Sequence, residues 1–305
     1  MSDITFCRTR HRYDSYTDFW RLVELSGFPT IYVDEIDISE PGIFITTPMN
    51  EDYREHINNQ HRQDKPVNAH LVLWNIERPS GSVGSVGNYA ADARYLQAGL
   101  WSNGQKFKAR SGSQELIECY GRFIDEVWVS DRRLADETKH ATRFVILGSH
   151  PELGQVDDTP KEYSFCHLSY EIGRRTAIYE HFDNREIGPN CWGDDRHEML
   201  KRCRFALNIH KDRHPFQEPL RFALFAAYGL PIVSETILDS YPWSDEFMVY
   251  SGYDQIISRL RQILSEDYSQ YREMGLRARE RMCNEFVFRK MVEQAVRESV
   301  GTVWR

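Results

Sequence analysis

Short apolar runs alternate with amphipathic stretches along the chain. ITFCRTR reads as a strand. TDFWRLVELSG follows, with Phe19, Leu22 and Val23 at helical spacing, a cap at Asp14 or Ser15 and a stop at Gly27. TIYVDE and GIFITTP read as strands, EDYREHINNQH as a polar helix. AHLVLWNIE is apolar throughout, as a strand covered on both faces is. DEVWVSD, RRLADETKH and TRFVILG continue as strand, helix and strand. SHPELGQVDDTP breaks the pattern with proline, glycine and charge, and reads as a linker.

Alternation then resumes. YSFCHLSY, REIGPN, RFALNIH, PIVSE and FMVYSG read as strands; GRRTAIYEHF, DDRHEMLKRC and PLRFALFAAYG read as helices. YDQIISRLRQILS and one long run from Tyr268 to about Val300 predict two closing helices. Strands separated by helices imply parallel β-α-β units. The expected fold is α/β: two Rossmann-like, doubly wound domains facing a cleft. The first spans residues 1–150 and the second 151–285, with a helix over 286–305 able to pack back on the first. Open parallel sheets bind ligands at the carboxyl ends of their strands, which places the site between the domains.

Composition narrows the class. The 305 residues carry a net charge of −8, so the surface as a whole does not attract polyanions. No run is long enough to cross a bilayer, and MSDITFCRTRHRYD has no signal-peptide core, so a cytoplasmic protein without membrane insertion is expected. Cys7, Cys119, Cys166, Cys191, Cys203 and Cys283 form no C-x-x-C pair and read as reduced thiols. Asp194-Asp195 reads as a helix start, and no acidic metal motif stands out, so no metal and no cofactor are expected. G-x-G-x-x-G is missing after the first strand, which argues against a nicotinamide-dependent dehydrogenase.

The strongest local signal is QEPLRFALFAAYGLPIVSE. Pro219 suits a first helical position and makes Glu218 the N-cap; Gly229 and Pro231 end the helix. The backbone N–H groups of Leu220 and Arg221 then face outward at a terminus that attracts phosphate. The preceding strand delivers Lys211 and Arg213 to the same edge, and EIGRR places Gly173, Arg174 and Arg175 at another strand-to-helix turn. A nucleoside diphosphate carries the matching charge.

These residues resemble the donor domain of GT-B fold glycosyltransferases, particularly the mostly retaining, glycogen-synthase-like group. In that group a Gly-Arg after the first donor-domain strand and a later lysine grip the diphosphate, matched here by Gly173-Arg174 and Lys211. AAYGLPIVSE matches the family's small-residue helix and the strand that follows it. The family's paired glutamates fall here on Phe216 and Leu224, so Glu218, or Glu235 at the strand end, is left to hold the ribose.

The implied activity is metal-independent transfer of a hexosyl or pentosyl group from a nucleoside-diphosphate sugar, UDP favoured, to a hydroxyl, with retention implied by the resemblance. The nucleotide sugar is a co-substrate. Glu77, ending a buried strand, His11, after the first strand, and Glu218 are the catalytic candidates. His150 and His210 read as structural, and Trp192 as packing. The glycine- and serine-rich stretch from Pro79 to Ser113 ends in Lys106, Lys108 and Arg110, a basic acceptor-side candidate. The acceptor is then a glycan, a small molecule or a hydroxymethylated base in DNA. The alternative is a catalytically inactive nucleotide-binding or scaffolding protein of the same fold. Oligomeric state is left open.

Overall fold

The computed structural model describes residues 3–10, 16–47, 51–76, 124–130, 132, 142–169, 171, 173–210, 217–237 and 239–303. The chain divides into two compact units, Met1–Tyr13 with Ser26–Ile146, and Asp14–Leu25 with Leu147–Arg305.

The first unit holds β1 (Ile4–Arg8), β2 (Thr30–Tyr32), β3 (Gly42–Thr46), β4 (Ala69–Asn75), β5 (Glu126–Val129) and β6 (Thr142–Phe144). They form one parallel sheet in the order β2-β1-β3-β4-β5-β6. Strand order reverses at β1, the signature of a doubly wound sheet. The run Leu71–Trp74 is buried, which explains its lack of alternation. TIYVDE is a strand only to Tyr32. The Glu35 carboxylate accepts the Tyr32 N–H at 2.8 Å and turns the chain into a 3-10 helix over Val33–Glu35.

Helix α1 (Thr17–Leu25) follows β1 in sequence but belongs to the second unit. A boundary at residue 150 therefore gives way to one at Ile146/Leu147, with residues 14–25 regrouped. Phe19, Leu22 and Val23 are buried as the helical spacing predicts, and Phe19 meets Phe288 edge-on, ring centroids 6.0 Å apart. Asp18 is buried too, which that spacing did not predict.

The remaining α-helices among the described residues are α2 (Glu51–Arg62) in the first unit and α3 (Arg174–Tyr179), α4 (Asp194–Lys201), α5 (Pro219–Ala227), α6 (Ile256–Ser265), α7 (Tyr268–Glu280) and α8 (Phe288–Val303) in the second. The second sheet is parallel, ordered β10-β9-β8-β7, from β7 (Tyr163–Cys166), β8 (Cys203–Asn208), β9 (Ile232–Glu235) and β10 (Met248–Ser251). REIGPN contributes only a bridge, Ile187 to Phe165. The Asp183 carboxylate accepts the N–H groups of Arg185 and Glu186 just before it, favouring a turn.

Phe222 to Ala227 are all buried, so α5 is apolar all round and central. Each buried large side chain there contributes roughly 1.5–3 kcal/mol. Gly229 ends the helix at φ 62°. Helix α7 packs so closely on this turn that a Cβ at Gly275 would lie 2.2 Å from the Gly229 carbonyl oxygen. The long closing helix expected from Tyr268 onward is broken. A π turn spans Arg281–Glu285, and Ser149 then pairs strand-fashion with Val287, donating to Phe286 O and accepting from Phe288 N. Helix α8, which the sequence offered to the first domain, is grouped with the second unit.

Candidate functional site

The carboxyl ends of β7, β8 and β9 and the start of α5 bring together most of the described candidate residues. Gly173 turns the chain after β7 at φ 54°, ψ −120°, a backbone state that disfavours a side chain. A Cβ there would meet nothing within 4 Å, so the turn is left-handed for shape and faces open space.

Arg174 is the first residue beyond that turn. Its guanidinium donates to both oxygens of Glu235 at 2.7 and 3.5 Å and lies 3.9 Å from the Tyr253 ring centroid. The Tyr253 hydroxyl donates to the Arg174 carbonyl at 2.9 Å. Glu235 ends β9 and is buried; its other hydrogen bond comes from the His210 N–H at 2.6 Å. One carboxylate therefore orients an arginine and fixes the end of β8. Cation–π contact adds about 0.5–2 kcal/mol to such an arrangement.

Arg175 points elsewhere. It is buried, with Nε donating to the Ile209 carbonyl at 2.7 Å and Nη2 reaching Glu218 at 3.4 Å. It ties the end of β8 to the start of α5. Glu218 precedes the helix at φ −113°, ψ 76°, and its side chain caps nothing. Its second oxygen takes Arg221 at 3.2 Å. Arg221 also donates to the buried Asn208 carbonyl oxygen, and Asn208 donates to Ser234 Oγ at 3.0 Å. The first backbone bond of α5 is Phe222 N–H to Glu218 O. The half-buried turn of Leu220 and Arg221 is where a helix presents donors to an anion.

Among the described ion pairs, Arg174, Arg175 and Arg221 share the carboxylates of Glu218 and Glu235, three guanidiniums to two carboxylates beside a helix N-terminus. His167, just past β7, is fully buried and stacks on Tyr179 with centroids 4.3 Å apart. Burial pushes its pKa down to about 4, with Arg221 and Arg175 adding to the shift and the Ser169 carbonyl opposing it. At neutral pH this imidazole is uncharged. Its Nδ1 lies 3.1 Å from Ser169 O, which makes Nδ1 the protonated nitrogen.

Asn208, Tyr253 and His167 were missed by the sequence reading. A polar residue ending an apolar strand was a usable signal for Asn208; nothing local marked the other two. His150 has the structural role expected, its ring accepting the Glu152 N–H at 3.2 Å. Trp192 stacks on the Arg196 guanidinium at 4.4 Å. Lys211 and Arg213, His11 and Glu77, and Lys106, Lys108 and Arg110 lie outside the described residues. Among the described residues, no group of three or more His, Cys, Asp or Glu could hold a metal, and no helix is long and apolar enough to cross a membrane. Cys7, Cys166, Cys203 and Cys283 are buried free thiols and Cys191 is a half-buried one; Cys119 lies outside the described residues.

Comparison with known proteins bears on the fold and the family. The chain is similar to the solved structure of Anabaena HepE in complex with UDP-glucose, with TM-score 0.59 and 9% identity, over 97% of this chain and 100% of that one. It is also similar to TarM, with TM-score 0.52 and 10% identity, over 84% of this chain and 54% of that one. At such identities the likeness is one of fold, the GT-B arrangement of two Rossmann-like units. An uncharacterized protein of Acanthamoeba polyphaga mimivirus is 33% identical over 119 residues, 34% of this chain and 42% of the relative. The chain thus matches less than half of that relative's length. The glycosyl transferase-like family model matches residues 130–297, more than half of the chain and all four strands of the second sheet. By that match, and with the fold and the cationic carboxyl edge in accord, the chain belongs to the glycosyl transferase-like family.

Proposed function

We propose that the protein is a glycosyltransferase that binds a nucleoside-diphosphate sugar, UDP-linked, at the carboxyl edge of its second sheet. The observation that carries this reading is the convergence of Arg174, Arg221 and the α5 N-terminus on one edge, with excess positive charge. HepE, of like fold, has been solved with UDP-glucose, which supports UDP as the first nucleotide to try.

Transfer breaks the bond from the anomeric carbon to the diphosphate oxygen and forms one to the acceptor oxygen. The leaving diphosphate gains negative charge and takes the proton that the acceptor hydroxyl gives up. Arg174, oriented by Glu235 and Tyr253, and Arg221, oriented by Glu218 and Asn208, are placed to receive that charge without reorganising. Charge-assisted hydrogen bonds are worth about 1.5–3 kcal/mol each. The resemblance adds Lys211 to this grip. Glu218 and Glu235, both engaged with arginines, act chiefly as positioning residues in this scheme. Retention follows from the family resemblance alone; transfer needs no metal, because cationic side chains and a helix dipole supply the stabilisation. The acceptor is a hydroxyl on a glycan or small molecule, and modified DNA is the competing outcome.

Thermal-shift titration with UDP-, GDP-, ADP- and dTDP-sugars tests donor choice; a UDP-sugar is expected to stabilise the protein most. Donor turnover is expected to persist in excess chelator. Loss restored by Mg²⁺ or Mn²⁺ contradicts the metal-free scheme. Transfer to a carbohydrate acceptor but not to hydroxymethylcytosine-containing DNA is the expected acceptor result. Binding and no turnover of any donor would favour the inactive alternative.

A further inference from the structure

The second unit carries a cavity of about 600 Å³ on the amino-edge side of its sheet. Its walls include residues 151–156, Lys201 at the end of α4 and Tyr228 just past α5. These segments lead into the amino ends of β7, β8 and β9, whereas Arg174, Glu218 and Glu235 sit at the carboxyl ends. The cavity is therefore separate from the donor site, and its size suits a small ligand, roughly 300–1,000 Å³.

Behind His197 and Tyr228, which line it, runs a chain of buried polar groups. His197 Nδ1 lies 2.5 Å from the Tyr228 hydroxyl, and His197 Nε2 lies 3.0 Å from Asp18 Oδ1. Asp18 also takes Arg196 at 2.6 Å. Burial pushes the Tyr228 phenol up, so it stays protonated. With Asp18 accepting from Nε2–H, Nδ1 accepts the Tyr228 proton, and the phenol oxygen keeps lone pairs for a donor in the cavity. Nothing in the donor chemistry uses this chain of groups.

The wall and rim fix the ligand class. Arg279 donates to the carbonyls of Pro151 and Gly154 at 3.0 and 3.3 Å, fastening the wall. Gly154 packs against α5 so closely that a Cβ would come 2.7 Å from the Ala227 carbonyl carbon. Arg21, Lys201 and Arg279 are balanced by Glu152, Asp194 and Glu198 around the cavity. Such a lining gives no net attraction to a second nucleotide or to a cation. It offers interleaved donors and acceptors, which a molecule rich in hydroxyls satisfies because each hydroxyl both donates and accepts.

We propose that this cavity is a carbohydrate subsite that holds a neutral saccharide away from the reacting centre. It goes beyond the donor reading and does not depend on turnover. The test is saturation-transfer NMR and calorimetry on the full chain with maltotriose, cellotriose and chitotriose, with and without excess UDP. At least one trisaccharide is expected to bind equally well in the presence of UDP and in Arg174→Ala. Tyr228→Phe and the rim variants Arg21→Ala and Glu198→Ala are each expected to weaken it about tenfold, one hydrogen bond's worth. UDP affinity unchanged in the rim variants shows that they remain folded. The proposal is overturned if none of the three binds, if UDP displaces the saccharide, or if both rim variants bind as tightly as wild type. In any of those cases UDP binding still reports separately on the donor site.

Discussion

The two ends of α5 carry ionic clusters of opposite character. At its start, Arg174, Arg175 and Arg221 outnumber Glu218 and Glu235, and the side chains of Arg174 and Glu218 stay 22% and 18% exposed. Past its end, Asp18 meets Arg196 and His197 with all three side chains at most 9% exposed. One cluster is open and cationic; the other is sealed and balanced. An open excess of charge is a standing offer to a ligand, whereas a sealed pair only repays its own desolvation. Burial of ionic groups by itself therefore marks no site; the proposed donor site rests on partly exposed charge beside backbone donors.

The sharpest way to break this comparison is at the sealed cluster. Asp18→Ala leaves Arg196 buried without its carboxylate and is expected to cost about 3–5 kcal/mol of stability. Urea denaturation measures the loss, and UDP titration of the folded fraction is expected to give wild-type affinity. A change below about 1 kcal/mol would mean that the pair contributes little.

A second test separates the clusters by pH. His167 has its folded pKa lowered to about 4, below the ordinary value near 6.5. The unfolded chain then takes up a proton first as pH falls. Stability is unaffected above pH 6.5 and falls by up to about 3 kcal/mol on acidification to pH 4. Burial opposes ionisation of Asp18, but His197 and Arg196 outweigh it and hold the carboxyl below its ordinary value. Its contribution is present above pH 4 and lost only below that. Urea unfolding at pH 7, 5.5 and 4.5 is expected to show the slope in wild type and a flatter one in His167→Gln. Equal slopes would remove His167 as the cause.

The smallest effect concerns the open cluster. Arg174→Ala is expected to weaken UDP binding by about 1.5–3 kcal/mol, roughly 10- to 100-fold. Stability is expected to fall too, since buried Glu235 loses its arginine, but less than in Asp18→Ala, because Arg174 reaches solvent and Glu235 keeps the His210 N–H. Calorimetric titration beside a thermal melt reads both. Wild-type affinity would remove Arg174 from the diphosphate site.

Much of the fold was legible because its signals are local. β4 declares itself by the apolar run Leu71–Trp74, and α5 by Pro219 and Gly229 at its ends. The turn into α3 was legible for the same reason: Gly173 and Arg174 sit where the helix begins. The two arginines of EIGRR look alike in sequence but differ in the fold. Arg175 is drawn under by the Ile209 carbonyl, while Arg174 stacks on Tyr253, 79 residues away.

The sequence by itself determined the alternation of strands and helices, the parallel sheets that follow from it, and the sheet edge on which Gly173, Arg174 and Glu218 collect. These depend on periodicity, caps and turn residues, which act over a few positions. The tertiary structure alone decided that α1 joins the second unit, that the long C-terminal run breaks where Ser149 pairs with Val287, and that Glu235 orients Arg174. Each of those outcomes rests on a pairing between residues far apart in the chain. Coulomb attraction, ring stacking and backbone bridging act through space, and no local pattern encodes the partner.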